Sequence, residues 1–213
     1  MNILIFGAQG SGKGTQADLL SKKIKIPHIT VGDIFRLIIK EESELGKTLA
    51  SYLNKGRLAP NEITNRIVAE RLKKIDVARG FILDGYPRNK IQADFLDIIR
   101  EIDKVIEIRI SDSEAIERIK DRRICYCGRT YHLKYNPPKQ DGVCDDCGEK
   151  LYQRDDDKPK EIKERLNIYH KETEPIIEAY KKRGIVKTVE GERPIHEIHL
   201  EIMKFFRNNN IFK

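Results

Sequence analysis

No stretch of about 18 apolar residues occurs in this 213-residue chain, so it offers no helix long and apolar enough to cross a membrane. The opening MNILIFGAQG lacks the charged head and long apolar stretch of a secretory leader. Its apolar run leads straight into glycines, as a first strand would, and a cytoplasmic location is the expectation. There is no internal repeat and no low-complexity tract. Cysteine is absent except for four residues, all between positions 125 and 147.

Hydrophobic residues make up 39% and charged residues 35%, a balance that suits a globular domain and not a disordered one. The length allows one sizeable core with room for small insertions. The net charge of +7 suits anionic partners, whether nucleotides, nucleic acid or acidic surfaces, and solubility alone would also account for it.

Asn2–Phe6 reads as a short buried strand, with further strands at residues 79–83 (ending at Asp84), 104–110 and 184–189. Helical periodicity separates them at Lys13–Ile24, 62–74, 90–101 and 113–122, and as one long helix at 159–182. A last helix is expected to have Pro194 at its first position, followed by Ile195, Ile198, Ile202 and Phe205. This alternation implies an α/β fold with a parallel sheet covered on both faces. Two segments break the rhythm. Residues 30–59 are helical in pattern but lie between sheet elements. Residues 123–157, rich in Cys, Gly, Pro and Tyr, read as a small inserted module.

Gly7 to Thr15 reads G-A-Q-G-S-G-K-G-T and meets the pattern G-x-x-x-x-G-K at Gly7, Gly12 and Lys13. It follows an apolar strand and opens a helix, the context a phosphate loop needs. Glycines let successive N–H groups turn inward, the helix N-terminus adds its positive end, and Lys13 reaches the terminal phosphates. Gly10, Ser11, Gly12, Lys13, Gly14 and Thr15 are therefore the expected ATP-phosphate binders. A ligand-free glycine turn would not explain strand, spacing and lysine together.

The ending G-K-G-T, followed by Gln16-Ala17, resembles the adenylate kinase family, whose loop usually has Pro where this chain has Gln9. Asp84-Gly85-Tyr86-Pro87-Arg88, with Gln92 four residues on, is similar to the family's D-G-[FY]-P-R segment. The chemistry agrees: a carboxylate at a strand end can hold Mg²⁺ through water, and Arg88 can grip a phosphate with two N–H groups. A plain turn would use Gly85 and Pro87 but would not call for Asp84 and Arg88. Residues 30–36, T-V-G-D-I-F-R, resemble the family's AMP segment. That implies Arg36 on the AMP phosphate and Val31 in the base pocket, where the family often has Thr. Asp33 is expected to cap the helix it begins. The resemblance also places Arg57, Leu58, Ala59, Gly85, Tyr86, Pro87 and Gln92 around AMP.

Phosphoryl transfer needs positioning and neutralisation of spread charge, so several arginines should converge. Arg118 and Arg122, four apart on the predicted helix, should share a face. In the family, matching arginines serve ATP. Arg154 and Arg165 match arginines that contact the phosphates, and Asp156 and Asp157 match acids that pair with them. By resemblance, Lys13, Arg36, Arg88, Arg122, Arg154 and Arg165 form the catalytic set. Thr130, Tyr131 and Arg193 would lie near ATP, Arg193 through its main chain.

Cys125 and Cys127, then sixteen residues, then Cys144 and Cys147 read as a structural Zn²⁺ site in place of disulfides. Zinc-lid members of the family carry two residues between the first pair; this chain carries one, Tyr126.

The resemblance covers nearly the whole chain. It implies a three-layer fold of the P-loop NTPase type with a parallel five-stranded sheet. The core would comprise residues 1–29, 60–120 and 158–213, the AMP-binding insert residues 30–59 and the zinc-bearing lid residues 121–157. It also implies the reversible reaction ATP + AMP = 2 ADP with Mg²⁺, and a monomer with no nucleic-acid or membrane partner. The rivals are a kinase for another monophosphate or with GTP as donor, and a zinc-ribbon nucleic-acid binder. Asp141, Asp145, Asp146 and the acids at 155–157 make the module a poor partner for a phosphate backbone.

Overall fold

The computed structural model describes residues 1–208. Five strands form one parallel sheet: β1 (Asn2–Phe6), β2 (His28–Thr30), β3 (Phe81–Asp84), β4 (Lys104–Arg109) and, after an antiparallel pair described below, β7 (Val186–Glu190). Their order is β2-β3-β1-β4-β7, so β1 is central. Of these, β2 was not legible in the sequence pattern, because three residues carry no period.

Successive strand side chains point to opposite faces, and each face has its own core. Ile3, Ile5, Ile82, Ile106 and Ile108 face α1 (Lys13–Ile24) and α9 (Ile195–Asn208), packing on Leu20, Ile198, Ile202 and Phe206. Leu4, Phe6, Leu83 and Val105 face the other layer, among them Val68 and Leu72 of α4 (Asn61–Leu72), Leu96 of α5 (Lys90–Ile99), and Ile177 and Tyr180 of α8 (Glu174–Lys182). Near-continuous apolar strands are what a sheet buried on both faces requires.

Between β2 and α4 lie α2 (Val31–Lys40) and α3 (Glu44–Leu53). Ser43 caps α3, accepting a hydrogen bond from the Gly46 N–H at 3.1 Å. The expected cap of α2 fails: Asp33 sits within the first turn and its carboxylate turns to Arg36 instead.

α6 spans Asp112–Lys120 and stops before Arg122, which begins β5 (Arg122–Ile124). Arg118 and Arg122 thus do not share a helix face. β5 pairs antiparallel with β6 (Thr130–His132) in the small module. The single helix expected at 159–182 is divided into α7 (Pro159–Ile168), a wide turn at Tyr169–Thr173, and α8. Pro175 cannot donate to the preceding turn, and the ladder widens just before it. α9 begins at Ile195, so Pro194 lies just outside it; its carbonyl accepts from the Ile198 N–H at 3.2 Å.

Ile106, on a central strand, is fully buried. Ile106→Ala is expected to cost about 2–5 kcal/mol, read as a lower urea midpoint at unchanged slope.

Candidate active site

The C-terminal ends of the parallel strands meet on one edge of the sheet, the usual ligand side of such folds. After β1 the chain turns through residues 7–12 into α1. Gly12 occupies the cap position at φ 85° with no side-chain cap, so the first N–H groups of α1 remain open. Gly10, at φ 81°, lies so close to the Ala115 carbonyl that an added Cβ would sit 2.9 Å from it. The register that pairs Ile5 with Asp84 sets the Asp84 carboxylate beside this loop. Its Oδ2 is 3.7 Å from the point where a side chain on Gly14 would begin. Lys13 folds back over the loop, its Nζ donating to the Ala8 carbonyl at 3.3 Å. The buried Ser11 Oγ and Gln9 Oε1 have no hydrogen-bond partner among the described residues.

Around this loop the structure gathers the cationic side chains. Burial pushes Lys13 down to about 8; Asp84 opposes this, and Arg88, Arg165 and Arg122 add to it. Arg88 is pushed down to about 10 by burial and Arg165, against Asp84 and Asp156. Arg154 falls to about 9 through burial, then Arg122 and Arg36. The same groups depress one another because they share one poorly solvated space. Acids hold them in place. Arg122 clamps Asp157, with Nε to Oδ2 at 2.9 Å. Arg165 Nη1 meets Asp156 Oδ2 at 2.9 Å and Asp157 Oδ1 at 3.2 Å. Asp33 pairs with Arg36 and lies 3.9 Å from Arg154. Arg88 Nε donates to the Gly85 carbonyl at 2.9 Å, and Thr173 Oγ1 donates to the Arg88 carbonyl at 2.9 Å.

Of the residues expected around AMP, Val31, Ala59 and Tyr86 are buried. Gln92 is buried with its Oε1 accepting from the Arg88 N–H at 2.8 Å and its Nε2 donating to Asn61 Oδ1 at 3.0 Å. Tyr86 donates to Asn65 Oδ1 at 2.8 Å, so its hydroxyl is engaged away from a ligand. Leu58 is half-buried and Arg57 largely exposed, 4.0 Å from Glu164, apart from the cationic group. Pro87 is buried between Tyr86 and Arg88.

Of the residues expected near ATP, Arg118 sits between the loop and the segment before α9. It pairs with Glu114 at 2.7 Å, donates to the Gly191 carbonyl at 2.9 Å and approaches the Tyr135 ring at 5.6 Å. Thr130 is exposed. The Tyr131 side chain is buried in the small module. Its hydroxyl accepts from the Asp145 N–H at 2.7 Å and lies 3.5 Å from Cys144 Sγ. The Arg193 side chain is engaged by Glu201, which leaves only its main chain for a nucleotide.

Cys125, Cys127, Cys144 and Cys147 bring their four sulfur atoms within 4.8 Å of one another. The donor set fits a tetrahedral thiophilic ion such as Zn²⁺, and the single-residue spacing of the first pair does not prevent the cluster. With its oxygen already accepting from Asp145, the Tyr131 hydroxyl has its proton free for Cys144 and favours the thiolate such an ion needs. That hydrogen bond is the chief influence pulling Cys144 down to about 6.

Sequence reasoning missed His28. Its buried ring joins Asp18 (Nδ1 to Oδ1, 2.6 Å) to Asp84 (Nε2 to Oδ2, 3.7 Å), with Thr30 Oγ1 3.1 Å from Nε2. Burial disfavours the charged ring, but the hydrogen bonds to Asp18 and Asp84 outweigh it and push His28 up to about 9. Burial would likewise raise Asp84, yet Lys13, His28 and Arg88 hold it below the usual carboxylate range. No motif announces His28; its partners are remote in sequence and meet only through β2 and α1.

A phosphate loop at the head of a parallel sheet, an acid on the neighbouring strand and a shell of arginines together define a phosphotransferase of the P-loop class. The comparisons narrow the class. The sequence profile of the family described as Adenylate kinase matches residues 5–185. Among curated relatives, an adenylate kinase of Caldicellulosiruptor bescii is 47% identical over 210 residues, covering 96% of this chain and 98% of its own. Those of Staphylococcus epidermidis and Methanosarcina barkeri are each 47% identical, over 95% of this chain and 97% and 96% of theirs. The chain belongs to the adenylate kinase family, and its activity is reversible phosphoryl transfer between ATP and AMP.

The raised His28 makes a pH-dependent contribution. Its folded value of about 9 exceeds the ordinary 6.5, so the stabilisation is full below 6.5 and lost as pH rises through 9. The stability gap between wild type and His28→Gln should therefore shrink by on the order of 3 kcal/mol across that window, measured by urea unfolding at stepped pH.

Proposed function

We propose that the gathered residues divide the transfer between two nucleotides placed end to end. The carrying observation is a chain of mutual influence among cations from separate parts of the chain: Lys13 of the loop feels Arg88, Arg165 and Arg122, Arg88 feels Arg36, and Arg154 feels Arg122 and Arg36. The loop from Gly10 to Thr15, with Lys13, holds the ATP phosphates, and Arg118 lies along the donor side. Arg88 and Arg36 hold the AMP phosphate. Gly85, Pro87, Val31 and the wall at Arg57, Leu58 and Ala59 surround its base, and Gln92 offers its remaining amide hydrogen and lone pair. Arg122, Arg154 and Arg165 neutralise the transferring group, which develops charge over its equatorial oxygens. No side-chain base is required, because the AMP phosphate is already ionised.

Asp84 is ionised and turned to the loop, which suits it to hold Mg²⁺ through water; bound there with ATP, the ion would neutralise phosphate charge. Four thiolates leave no open coordination position, so Zn²⁺ in the lid is structural. Residues 30–59 form the AMP-binding insert and residues 121–157 the lid, on a core of residues 1–29, 60–120 and 158–213. Insert and lid close together over the nucleotides and exclude water, as the approach of Arg154 to Asp33 favours. The enzyme works as a cytoplasmic monomer without nucleic-acid or membrane partners.

A coupled assay with ATP and AMP tests the assignment. Arg88→Ala is expected to lower kcat/KM by about 100- to 1000-fold while circular dichroism and Tm stay near wild type. AMP should be the fastest acceptor in a panel with GMP, CMP and UMP; a pyrimidine monophosphate ahead of AMP would overturn the acceptor assignment. Metal analysis should find one Zn²⁺ per chain, and Cys144→Ser should lower both zinc content and Tm.

A further inference from the structure

Lys40 ends α2 in the insert, and its ammonium lies 4.0 Å from the centre of the Tyr126 ring in the lid. Among the described residues no carboxylate pairs with Lys40; this ring is the partner the structure gives it. Tyr126 occupies the single position between Cys125 and Cys127. Both flanking sulfurs turn into the cysteine cluster, so the intervening side chain projects outward and is 61% exposed. Its ring stacks on Tyr152 at 4.4 Å between centroids and 26° between planes. Tyr152 is in turn fixed to Ile124 by two backbone hydrogen bonds of 2.9 Å. The Tyr152 phenol is raised by burial and then by Tyr126, and it also feels Arg36, Arg154 and Asp33. The stacked pair therefore lies between Lys40 and the charged group of Arg36, Arg154 and Asp33 that Tyr152 feels.

We propose that Lys40, Tyr126 and Tyr152 form a clasp between insert and lid over the acceptor end of the cleft, and that Lys40 and Tyr126 are positioning residues for the transfer. They touch no reacting atom. A cation on a ring face attracts it across solvent-exposed distance, and the stack supplies a rigid platform that the cysteine cluster holds in place. The short first cysteine pair thereby acquires a use: it sets an aromatic side chain at the seam. Closing the clasp favours the arrangement in which Arg36 on the AMP phosphate and Arg154 on the transferring group come together, and opening it lets nucleotides exchange. This rests on the closure described above.

The test uses the zinc-loaded full chain with Lys40→Met, Tyr126→Leu, their combination, and the conservative Lys40→Arg and Tyr126→Phe. Each single disruptive variant should raise KM for AMP by about two- to fivefold, with KM for ATP raised less and kcat unchanged or higher. The double variant should be no worse than either single one, and both conservative variants should match wild type. Energy transfer between labels at positions 47 and 139, with and without nucleotides, should show a smaller closed fraction in Lys40→Met. If nucleotides do not shorten that distance in wild type, closure itself fails and the clasp with it. If they do, while the Lys40→Met KM stays at wild type, the two changes add, or kcat falls at constant KM, the clasp alone is overturned. Should Tyr126→Leu lose zinc, Lys40→Met and Lys40→Arg decide the matter.

Discussion

Lys13, Arg88, Arg154 and Arg165 are all easier to deprotonate here than in water, because burial and mutual repulsion both penalise their charge. The fold keeps them together without a ligand by interleaving a smaller set of acids. Asp84 answers Lys13 and Arg88, Asp156 and Asp157 answer Arg165 and Arg122, and Asp33 answers Arg36. The remaining positive field is matched by polyphosphate, the one component of the reaction with enough negative charge to relieve it. Reading the site as a strained positive cavity explains both its affinity and its readiness: the charge that stabilises the transferring group is in place before substrate arrives.

Rigid and movable parts share that burden differently. The phosphate loop, Asp84 and Arg88 hang from central parallel strands, where register fixes their spacing and two layers of apolar side chains prevent drift. Arg36 lies on α2, whose Val31 and Phe35 join the large core on one face of the sheet, whereas Arg154 belongs to the small cysteine-bearing module, whose own core consists of Cys125, Tyr131, Cys144 and Leu151. A core of that size does not hold a shape alone, and the four clustered cysteines give it the means to hold a thiophilic ion as a staple. The arginine on the small module thus rests on a weakly packed unit, and the groups that must stay in register are built on the sheet.

Much of this was legible in the residues. The loop at Gly7–Thr15 and the segment from Asp84 to Arg88 could be read because close spacing in sequence translates directly into close spacing in space. Four strands of the sheet announced themselves as apolar runs; β2 did not, being too short to show a period. The helix expected to carry both Arg118 and Arg122 ended early, since the chain must turn at Asp121 to begin β5. The burial of the Tyr131 side chain against Cys144 could not be read, because family pattern gives position along the chain and not the direction of a side chain. His28 and the Lys40–Tyr126 approach were invisible for a different reason: each joins elements whose neighbourhood is decided only by the assembled fold.

Proton uptake on nucleotide binding tests the central claim most directly. Calorimetry of a dinucleoside polyphosphate, with two adenosines bridged by five phosphates, should be run near pH 8.5 in buffers of different ionisation enthalpy. Bound phosphates restore the charge on Lys13, whose free value is about 8, so the complex should take up a substantial fraction of a proton. Uptake should vanish near pH 6, where Lys13 is already charged and the ligand's bridging phosphates remain ionised. Binding with no uptake, or with proton release, at pH 8.5 would show that the cations are not held in the strained, charge-starved state on which this account depends.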